Sequence, residues 1–235
     1  MENFSPEDIE ILFEDERFIV VNKPAHLVVH PYRGRGVPKT KQSLMALTRD
    51  KIDQLVYPIH RLDGPVSGPV LFAKKGRYVK LAQDVWHAES TKKVYTALVK
   101  GILPVSGTYD FALKEKGGFF KKAITNFEPI RPYGETTLVE VEILTGRKHQ
   151  IRRHFARRNH NLLGDVKHGR GNLNTFFKEH YGLDRIFLHC HQLSLEIDEQ
   201  TSINISCPMP CELLEVLEKL EKNPFSLCQL PQSFN

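Results

Sequence analysis

The sequence has few cysteines, and their spacing excludes a disulfide framework or a four-ligand zinc site. Only four of the 235 residues are cysteine, and no two of them form a CxxC pair. Cys207 and Cys211 are separated by three residues, and no second pair could complete a metal site. We therefore expect reduced thiols in a reducing compartment, the cytoplasm.

Long apolar runs and an early basic segment are also missing. No stretch approaches the roughly 20 apolar residues of a membrane-spanning helix, so we expect no membrane partner. The first sixteen residues contain seven acids and no Lys or Arg, unlike a signal peptide. There is no internal repeat and no change of composition along the chain, so we expect a single domain over residues 1–235 without a separate N-terminal module.

Positive charge is concentrated in one part of the chain. Lys and Arg total 33 against 28 for Asp and Glu, a net charge of +5, yet between residues 145 and 170 Asp165 is the only acid. Ile151 and Phe155 predict a helix that begins near Gln150 and leaves an Arg and His face for solvent or a polyanion. A basic run is usually a solvated surface, but this density of Arg, Gln and His suits phosphate contacts. Nucleic acid is the favoured partner.

Asp63 is the first candidate for a reactive carboxylate. It lies in the Gly- and Pro-containing segment His60–Gly68, directly before the apolar run Val70–Ala73. A turn that leads into a buried strand places side chains on a rigid edge, where catalytic groups are often found. The alternative is that Asp63 only caps the turn.

The hydrophobic pattern predicts an α+β fold. Many short strands and few helices favour one largely antiparallel sheet. A Gly- and Pro-containing basic loop at residues 30–42 is a further candidate RNA contact. The predicted strands are 11–13, 18–22, 93–100, 136–144, 193–197 and 203–205, and the predicted helices are 43–49, 77–89, one from about 150, and 212–222 with Leu213, Leu214, Val216, Leu217 and Leu220 facing inward.

Three motifs resemble those of the RluA-type pseudouridine synthases. The family's first motif reads His-Arg-Leu-Asp, a variable residue, a small residue, then Thr-Ser-Gly, and corresponds to His60–Gly68. Its second, a basic residue before Tyr and a short strand, corresponds to Lys92–Gly101. Its third, Gly-Arg-x-His-Gln-Leu/Ile-Arg-x-His, corresponds to Gly146–His154. Order and spacing match, and the similarity extends from about Ile11 to Ile205.

The resemblance implies an enzyme that isomerises a uridine in RNA to pseudouridine without metal, nucleotide or redox cofactor. It implies a central sheet whose flanking helices and loops form a basic RNA-binding cleft. By motif position Asp63 is the nucleophile, Arg152 the cation that pairs with it, and Tyr95 the aromatic that packs against the flipped uracil and helps to move the C5 proton. Without the motif, Arg152 would be taken for a phosphate contact and Tyr95 for an ordinary strand residue.

Further residues acquire expected roles in RNA binding. Arg61 either fills the stack that the uridine vacates or clamps a phosphate. Leu188 lines the uracil pocket or is a core leucine, and His60 is expected to be a hydrogen-bonded structural residue. The residues expected to hold the RNA backbone are Arg147, Lys148, His149 and Arg153.

A finer likeness concerns the target. Segments 146–154, 163–169 and 188–195 look most like the branch of the family that modifies uridine 65 in the T-stem of tRNA. The expected lack of a separate N-terminal RNA-binding module favours a compact, structured substrate such as tRNA, and we expect a monomer. Gly64 stands where that branch has Arg, and Val66 where the family has Thr. The alternatives are another tRNA or ribosomal RNA uridine, or a non-catalytic RNA-binding or chaperone protein on this fold. A more distant alternative is a metal-dependent nuclease that uses His149, His154, His160 and His168.

Overall fold

Twelve strands and five α-helices form within residues 3–31 and 42–230, the part of the chain that the computed structural model describes. The predicted basic loop at 30–42 lies almost wholly outside these residues. The strands are β1 (Ile11–Glu14), β2 (Phe18–Lys23), β3 (Tyr57–Pro58), β4 (Gly68–Ala73), β5 (Lys92–Lys100), β6 (Gly107–Tyr109), β7 (Leu113–Lys114), β8 (Phe120–Lys121), β9 (Thr125–Pro132), β10 (Thr136–Ile143), β11 (Leu188–Asp198) and β12 (Thr201–Ser206). The helices are α1 (Leu44–Ile52), α2 (Gly76–Val85), α3 (Gln150–Arg157), α4 (Gly171–Tyr181) and α5 (Cys211–Lys222).

The chain divides into two compact units. The first unit runs to Lys92 and includes Cys190–Cys207, and the second unit comprises Lys93–His189 and the chain from Pro208. The strand pairs within each unit are antiparallel. The predicted α+β class with a mostly antiparallel sheet is therefore confirmed, while a single domain over 1–235 stays a prediction.

The first unit contains a sheet in the order β1-β2-β4-β3 and the β11–β12 hairpin. All six residues of β4 are buried, as expected for a strand covered on both faces. Alternating residues of the strands supply its core, which explains the apolar pattern of the sequence here. The core residues are Phe18, Val20, Ile59, Leu71, Ala73, Ala82, Leu193, Leu195, Ile197, Ile203 and Ile205.

The second unit contains strands in the order β5-β10-β9-β6 and the separate β7–β8 hairpin. Leu98 of β5 and Leu138 of β10 pack in one core with α4 and α5, which contribute Phe177 and Leu220. Each large apolar side chain buried in this way contributes about 1.5 to 3 kcal/mol. The helices thus cover the sheet and hold β5, which carries the second motif, and its neighbour β10.

Several predicted elements are confirmed, with three corrections. The strands β1, β2, β5, β10, β11 and β12 form, and Ser43 caps α1 by accepting from the backbone N–H of Ala46. The α2 helix ends at Val85 rather than at Glu89, because the Thr91 hydroxyl donates to the Val85 carbonyl and caps that end. Leu214, expected to face inward on α5, is exposed. The strands β3, β6, β7, β8 and β9 and the helix α4 were not predicted.

Candidate active site

Asp63 opens the tight turn that leads into β4. The backbone N–H of Val66 donates to the Asp63 carbonyl at 3.0 Å, which closes a four-residue turn. The Asp63 side chain is half-buried, and the strand that follows is buried along its whole length. The carboxylate therefore stands on a fixed backbone, as a reactive group requires.

A buried lysine at the end of β2 holds the same turn. Lys23 has no exposed surface, and its Nζ donates to the Gly64 carbonyl at 2.9 Å and to the Pro24 and Leu27 carbonyls at 2.7 Å each. These acceptors offset the cost of burying an ammonium group. Because Gly64 directly follows Asp63, Lys23 positions the turn. The sequence pattern predicted only the end of a strand here.

Gly68 ends the motif at a place where two backbones approach closely. Its φ is +130°, and a Cβ built on it would lie 2.4 Å from the carbonyl oxygen of Cys190. The backbone N–H of Cys190 donates to the Ser67 carbonyl at 2.9 Å. The last Gly of the motif is therefore required so that the start of β11 can pack against the turn.

His60 links the motif to the body of the first unit. Its Nε2 accepts from the backbone N–H of Leu71 at 3.0 Å, so the proton of a neutral ring is on Nδ1. The ring stacks on Trp86, with centroids 4.3 Å apart and planes 22° from parallel. These contacts support the expected structural role of His60. Trp86 is half-buried and packs against the core of the first unit.

Tyr95 lies on β5 in the second unit. Its side chain is buried, and in the antiparallel pair with β10 it is opposite Val141. The neighbours Val94 and Thr96 are buried as well, so the strand position fixes the direction of the ring. Contact with uracil stays a prediction.

Gln150 holds the basic loop of the third motif in one shape. Its Oε1 accepts from the Thr145 hydroxyl at 2.6 Å and from the backbone N–H of Arg147 at 3.0 Å. Its Nε2 donates to the Ile124 carbonyl and to Thr125 Oγ1, both at 2.9 Å. A buried amide with both ends hydrogen-bonded is rigid, so loop 145–149 is fixed at the start of α3.

Arg152 forms a buried ion pair with Asp165. The guanidinium Nε lies 2.8 Å from Oδ2 and NH2 lies 2.7 Å from Oδ1, a bidentate arrangement. Both side chains are almost fully buried. The structure thus places a carboxylate other than the expected one against this guanidinium, and the pairing of Arg152 with Asp63 stays a prediction.

Asp165 remains ionised despite its burial. Burial opposes the charged form, but the Arg152 guanidinium and the backbone N–H groups of His168 and Lys167 outweigh it, so the pKa of Asp165 lies below its ordinary value. Those two N–H groups donate at 3.0 and 2.9 Å. A charged Asp165 therefore fixes both the Arg152 side chain and the loop at 165–168.

Two histidines meet beside this pair. His149 Nδ1 and His168 Nε2 are 2.9 Å apart, so one nitrogen donates and the other accepts. Burial lowers the pKa of His168, which favours its neutral form near pH 7. His149 has a φ of +53° at the start of α3, and this contact holds its ring. Its expected contact with RNA stays a prediction.

The expected solvent face of α3 is partly wrong. Arg157 and Arg158 are exposed, but Arg152 and His154 are buried. His154 Nδ1 lies 3.0 Å from Thr125 Oγ1, and Nε2 lies 3.1 Å from the Phe111 carbonyl. Burial lowers the pKa of His154. The pattern failed here because a hydrogen-bonded His and a paired Arg can be buried without being apolar.

The other expected RNA contacts of the second unit occupy a continuous loop and helix. Lys148 is exposed and Arg147 is half-buried. Arg147 Nε donates to the Lys122 carbonyl at 3.0 Å, and Arg153 NH2 donates to the Lys114 carbonyl at 2.8 Å. These backbone contacts orient the two guanidinium groups.

Arg61 and Leu188 differ in exposure. Arg61 is exposed on the Asp63 turn in the first unit. Leu188 is buried at the start of β11, and Arg185 NH2 donates to its carbonyl at 3.1 Å. Within each unit the motif residues are brought together, Arg61 with Asp63 on one turn and residues 147–153 on one loop and helix.

Sequence reasoning missed four residues that hold the motif residues in place within their own units. They are Lys23, Gln150 in its hydrogen-bonding role, Asp165 and His168. Asp165 had a visible signal, because a lone acid in a long basic run needs a partner. Within the described ranges, no group of three or more His, Cys, Asp or Glu could hold a metal ion. Nor is any helix of those ranges long and apolar enough to cross a membrane.

Comparison with known proteins gives consistent matches. The family described as RNA pseudouridylate synthase matches residues 17–157. A tRNA pseudouridine synthase C from Vibrio parahaemolyticus serotype O3:K6 is 35% identical over 213 residues, covering 80% of this chain and 85% of that protein. One of the same name from Vibrio vulnificus is 35% identical over 207 residues, covering 79% and 84%. The predicted likeness to this branch of the RluA-type family is confirmed.

Solved structures confirm the predicted pseudouridine synthase fold. Human RNA Pseudouridylate Synthase Domain Containing 4 has a TM-score of 0.74 at 21% identity, covering 90% of this chain and 93% of that chain. Human RNA Pseudouridylate Synthase Domain Containing 1 has a TM-score of 0.71 at 19% identity, covering 96% and 100%. At these identities the likeness concerns the fold.

Proposed function

The chain belongs to the RNA pseudouridylate synthase family, and from this we propose that it converts uridine 65 in the T-stem of tRNA to pseudouridine. The relatives named tRNA pseudouridine synthase C support tRNA as the substrate. The observation that carries the activity is the Asp63 carboxylate, which stands half-buried on a turn fixed by Lys23 and by β11.

The reaction is an isomerisation that needs no outside atoms or electrons. The C1′–N1 bond breaks, the uracil rotates, a C1′–C5 bond forms, and the C5 proton is transferred so that N1 ends protonated. Asp63 acts as a carboxylate, which can form a covalent intermediate and later leave. Attack at C1′, attack at C6 and proton abstraction at C2′ all use this same group.

Arg152 and Tyr95 complete the proposed chemistry. Arg152, held by Asp165, supplies positive charge for the Asp63 carboxylate. Tyr95, buried on β5, packs against the flipped uracil and takes part in the transfer of the C5 proton. Leu188 lines the uracil pocket.

The target uridine must leave the stacked stem before reaction. Flipping a base costs a few kcal/mol, which contacts with the rest of the RNA offset. Lys148 and the oriented Arg147 and Arg153 contact phosphates, and Arg61, exposed beside Asp63, fills the vacated stack or holds a phosphate. His149 contributes from the same loop as Lys148.

Two departures from the relatives affect recognition. At Gly64 a Cβ would lie 3.6 Å from Val28, an ordinary contact distance, so packing does not demand glycine here. The Arg that the branch carries at this position is a cation that this chain lacks. Val66 is buried and offers no hydroxyl. Both changes alter contacts around Asp63 without changing the proposed reacting group.

Pseudouridine mapping of tRNA and ribosomal RNA tests the function. Cells that lack the protein should lose the single T-stem pseudouridine of tRNA, and the intact gene should restore it. Asp63→Ala should bind tRNA as the wild type does and restore no pseudouridine. Measurable isomerisation by Asp63→Ala would remove Asp63 from the role of nucleophile.

The alternatives give different results in the same experiment. Loss of a ribosomal RNA pseudouridine, or of another in tRNA, would keep the activity and discard the target. No loss anywhere would favour a non-catalytic RNA-binding or chaperone protein. Activity in EDTA distinguishes the synthase from a metal-dependent nuclease.

A further inference from the structure

The β7–β8 hairpin, residues 113–121, presents two exposed aromatic side chains that the proposed site does not use. Phe119 is 54% exposed and Phe120 is 63% exposed. Gly117 and Gly118 form the turn with positive φ angles. Large apolar side chains that stay in solvent together mark a surface that another molecule covers.

Charge identifies the kind of molecule. Next to the two phenylalanines lie Lys116, Lys121 and Lys122, and Lys121 Nζ is 5.6 Å from the Phe119 ring centroid. The Phe119 ring and the Lys121 ammonium group therefore lie together on the surface of the hairpin. Protein interfaces are depleted in Lys, whereas aromatic rings among cations are typical of surfaces that bind unpaired nucleotides.

Hydrogen bonds join this hairpin to the third motif. Arg153 donates to the Lys114 carbonyl at 2.8 Å, before the turn, and Arg147 donates to the Lys122 carbonyl at 3.0 Å, after it. Gln150 donates to the Ile124 carbonyl at 2.9 Å. The hairpin is thus held at both of its ends by residues of the basic loop and α3, so the two form one surface.

We propose that the β7–β8 hairpin binds unpaired nucleotides of the RNA substrate, with Phe119 and Phe120 stacking on exposed base faces and the lysines contacting phosphates. Bases within a duplex are already stacked and offer no free face, so the partner is the loop that adjoins the target stem. The proposal rests on the proposed function, because Arg147 and Arg153 hold the RNA backbone only if this chain acts on RNA.

Two RNA probes test the proposal with the full chain. One is the tRNA T-arm as a stem-loop, and the other is a blunt duplex of the same stem sequence. The double variant Phe119→Ala with Phe120→Ala should bind the stem-loop about tenfold or more weakly, since lost stacks are worth this much. Its affinity for the duplex should change less than about twofold.

Matched variants separate stacking from other effects. Phe119→Trp with Phe120→Trp should keep stem-loop affinity, whereas Phe119→Leu with Phe120→Leu, equally apolar, should lose it. Leu55→Ala removes another exposed apolar side chain, 61% exposed, and should bind as the wild type does. Circular dichroism confirms that each variant is folded.

Every result decides the proposal. Equal losses on both probes, no loss on either, or full affinity in the leucine variant would overturn it. The wild type could fail to modify uridine 65 while the wild type and the tryptophan variant still prefer the stem-loop and the alanine and leucine variants do not. In that case the proposed target is wrong and the proposed hairpin surface stands.

Discussion

At the scale of single residues, the two glycines of the Asp63 turn have different reasons to be there. Gly64 has ordinary space for a Cβ, whereas a Cβ at Gly68 would meet the Cys190 carbonyl oxygen at 2.4 Å on a backbone with φ of +130°. A side chain at Gly68 must therefore push β11 from the turn or strain the chain. One motif thus combines a glycine that packing demands at position 68 with one that packing does not demand at position 64.

Gly68→Ala and Gly64→Ala form a matched pair. Gly68→Ala should lower the free energy of unfolding by about 2 kcal/mol or more, since positive φ costs about 1–3 kcal/mol before the clash is counted, and it should abolish most turnover. Gly64→Ala should stay within about 0.5 kcal/mol of wild type. Urea unfolding and a pseudouridine assay measure both. Equal stability of the two variants would show that the close approach is not required.

Asp165 is the residue whose loss should show most clearly how Arg152 is held. Asp165→Asn leaves a buried guanidinium without its anion, which typically costs about 3 to 5 kcal/mol. If Arg152 serves Asp63, kcat should also fall more than KM rises. Asp84→Asn, in the exposed pair with Lys80, is the control and should change stability by less than about 1 kcal/mol. A stable Asp165→Asn with full kcat would contradict both roles.

At the scale of elements, the packing of α3 depends on a neutral His154, which takes part in a chain of hydrogen bonds. Gln150 donates to Thr125 Oγ1, and the Thr125 hydroxyl in turn faces His154 Nδ1 at 3.0 Å. Because the Phe111 carbonyl accepts from Nε2, Nδ1 is the acceptor of the Thr125 proton. Protonation of His154 would break this chain of hydrogen bonds and place a third cation near Arg153 and Arg157.

Stability should therefore fall as the solution is acidified. Burial keeps the pKa of His154 below its ordinary value, so below about pH 6.5 the unfolded chain takes up a proton that the folded chain refuses. The unfolding free energy then falls with pH until the folded pKa is reached, by at most about 1.4 kcal/mol per pH unit. Between about pH 7 and pH 5, the urea midpoint should depend less on pH in His154→Gln than in the control His180→Gln. Parallel curves would show that His154 does not carry this loss.

The elements also show where sequence reasoning succeeds and where it stops. The start of α3 at Gln150 was predictable because its apolar spacing is local. The α4 helix was missed although Leu173, Phe176 and Phe177 have helical spacing, because Gly and Asn at its start suggest a loop. Pro129 and Pro132 likewise concealed β9.

Contacts between residues far apart in the sequence are the other limit of prediction from sequence. Lys23 and Gly64 are 41 positions apart and Arg152 and Asp165 are 13 apart. A motif indicates that a charged residue is present. Which group pairs with or hydrogen-bonds to that residue follows only from the folded structure. Asp63 could therefore be proposed from sequence, whereas the residues that hold its turn could not.

At the scale of the whole molecule, the modest net charge of +5 conceals a strongly basic segment around α3. Affinity for RNA should fall steeply with salt, because each phosphate contact releases counterions. Lys148→Gln should reduce the slope of log affinity against log salt by about one. Lys80→Gln, which removes a cation paired with Asp84, should leave the slope unchanged. Identical slopes for the two variants would place RNA elsewhere.

The contact of Cys190 with the Asp63 turn also determines when that turn can be completed in a newly made chain. The first unit consists of the chain up to Lys92 and of Cys190–Cys207, so its second part leaves the ribosome only after residues 93–189 have been made. Until then the turn lacks its contact at Ser67 and Gly68, and non-local contacts of this kind form slowly. The Asp63 carboxylate is present early in synthesis, but the turn that carries it gains its contacts with residues 190–207 only late.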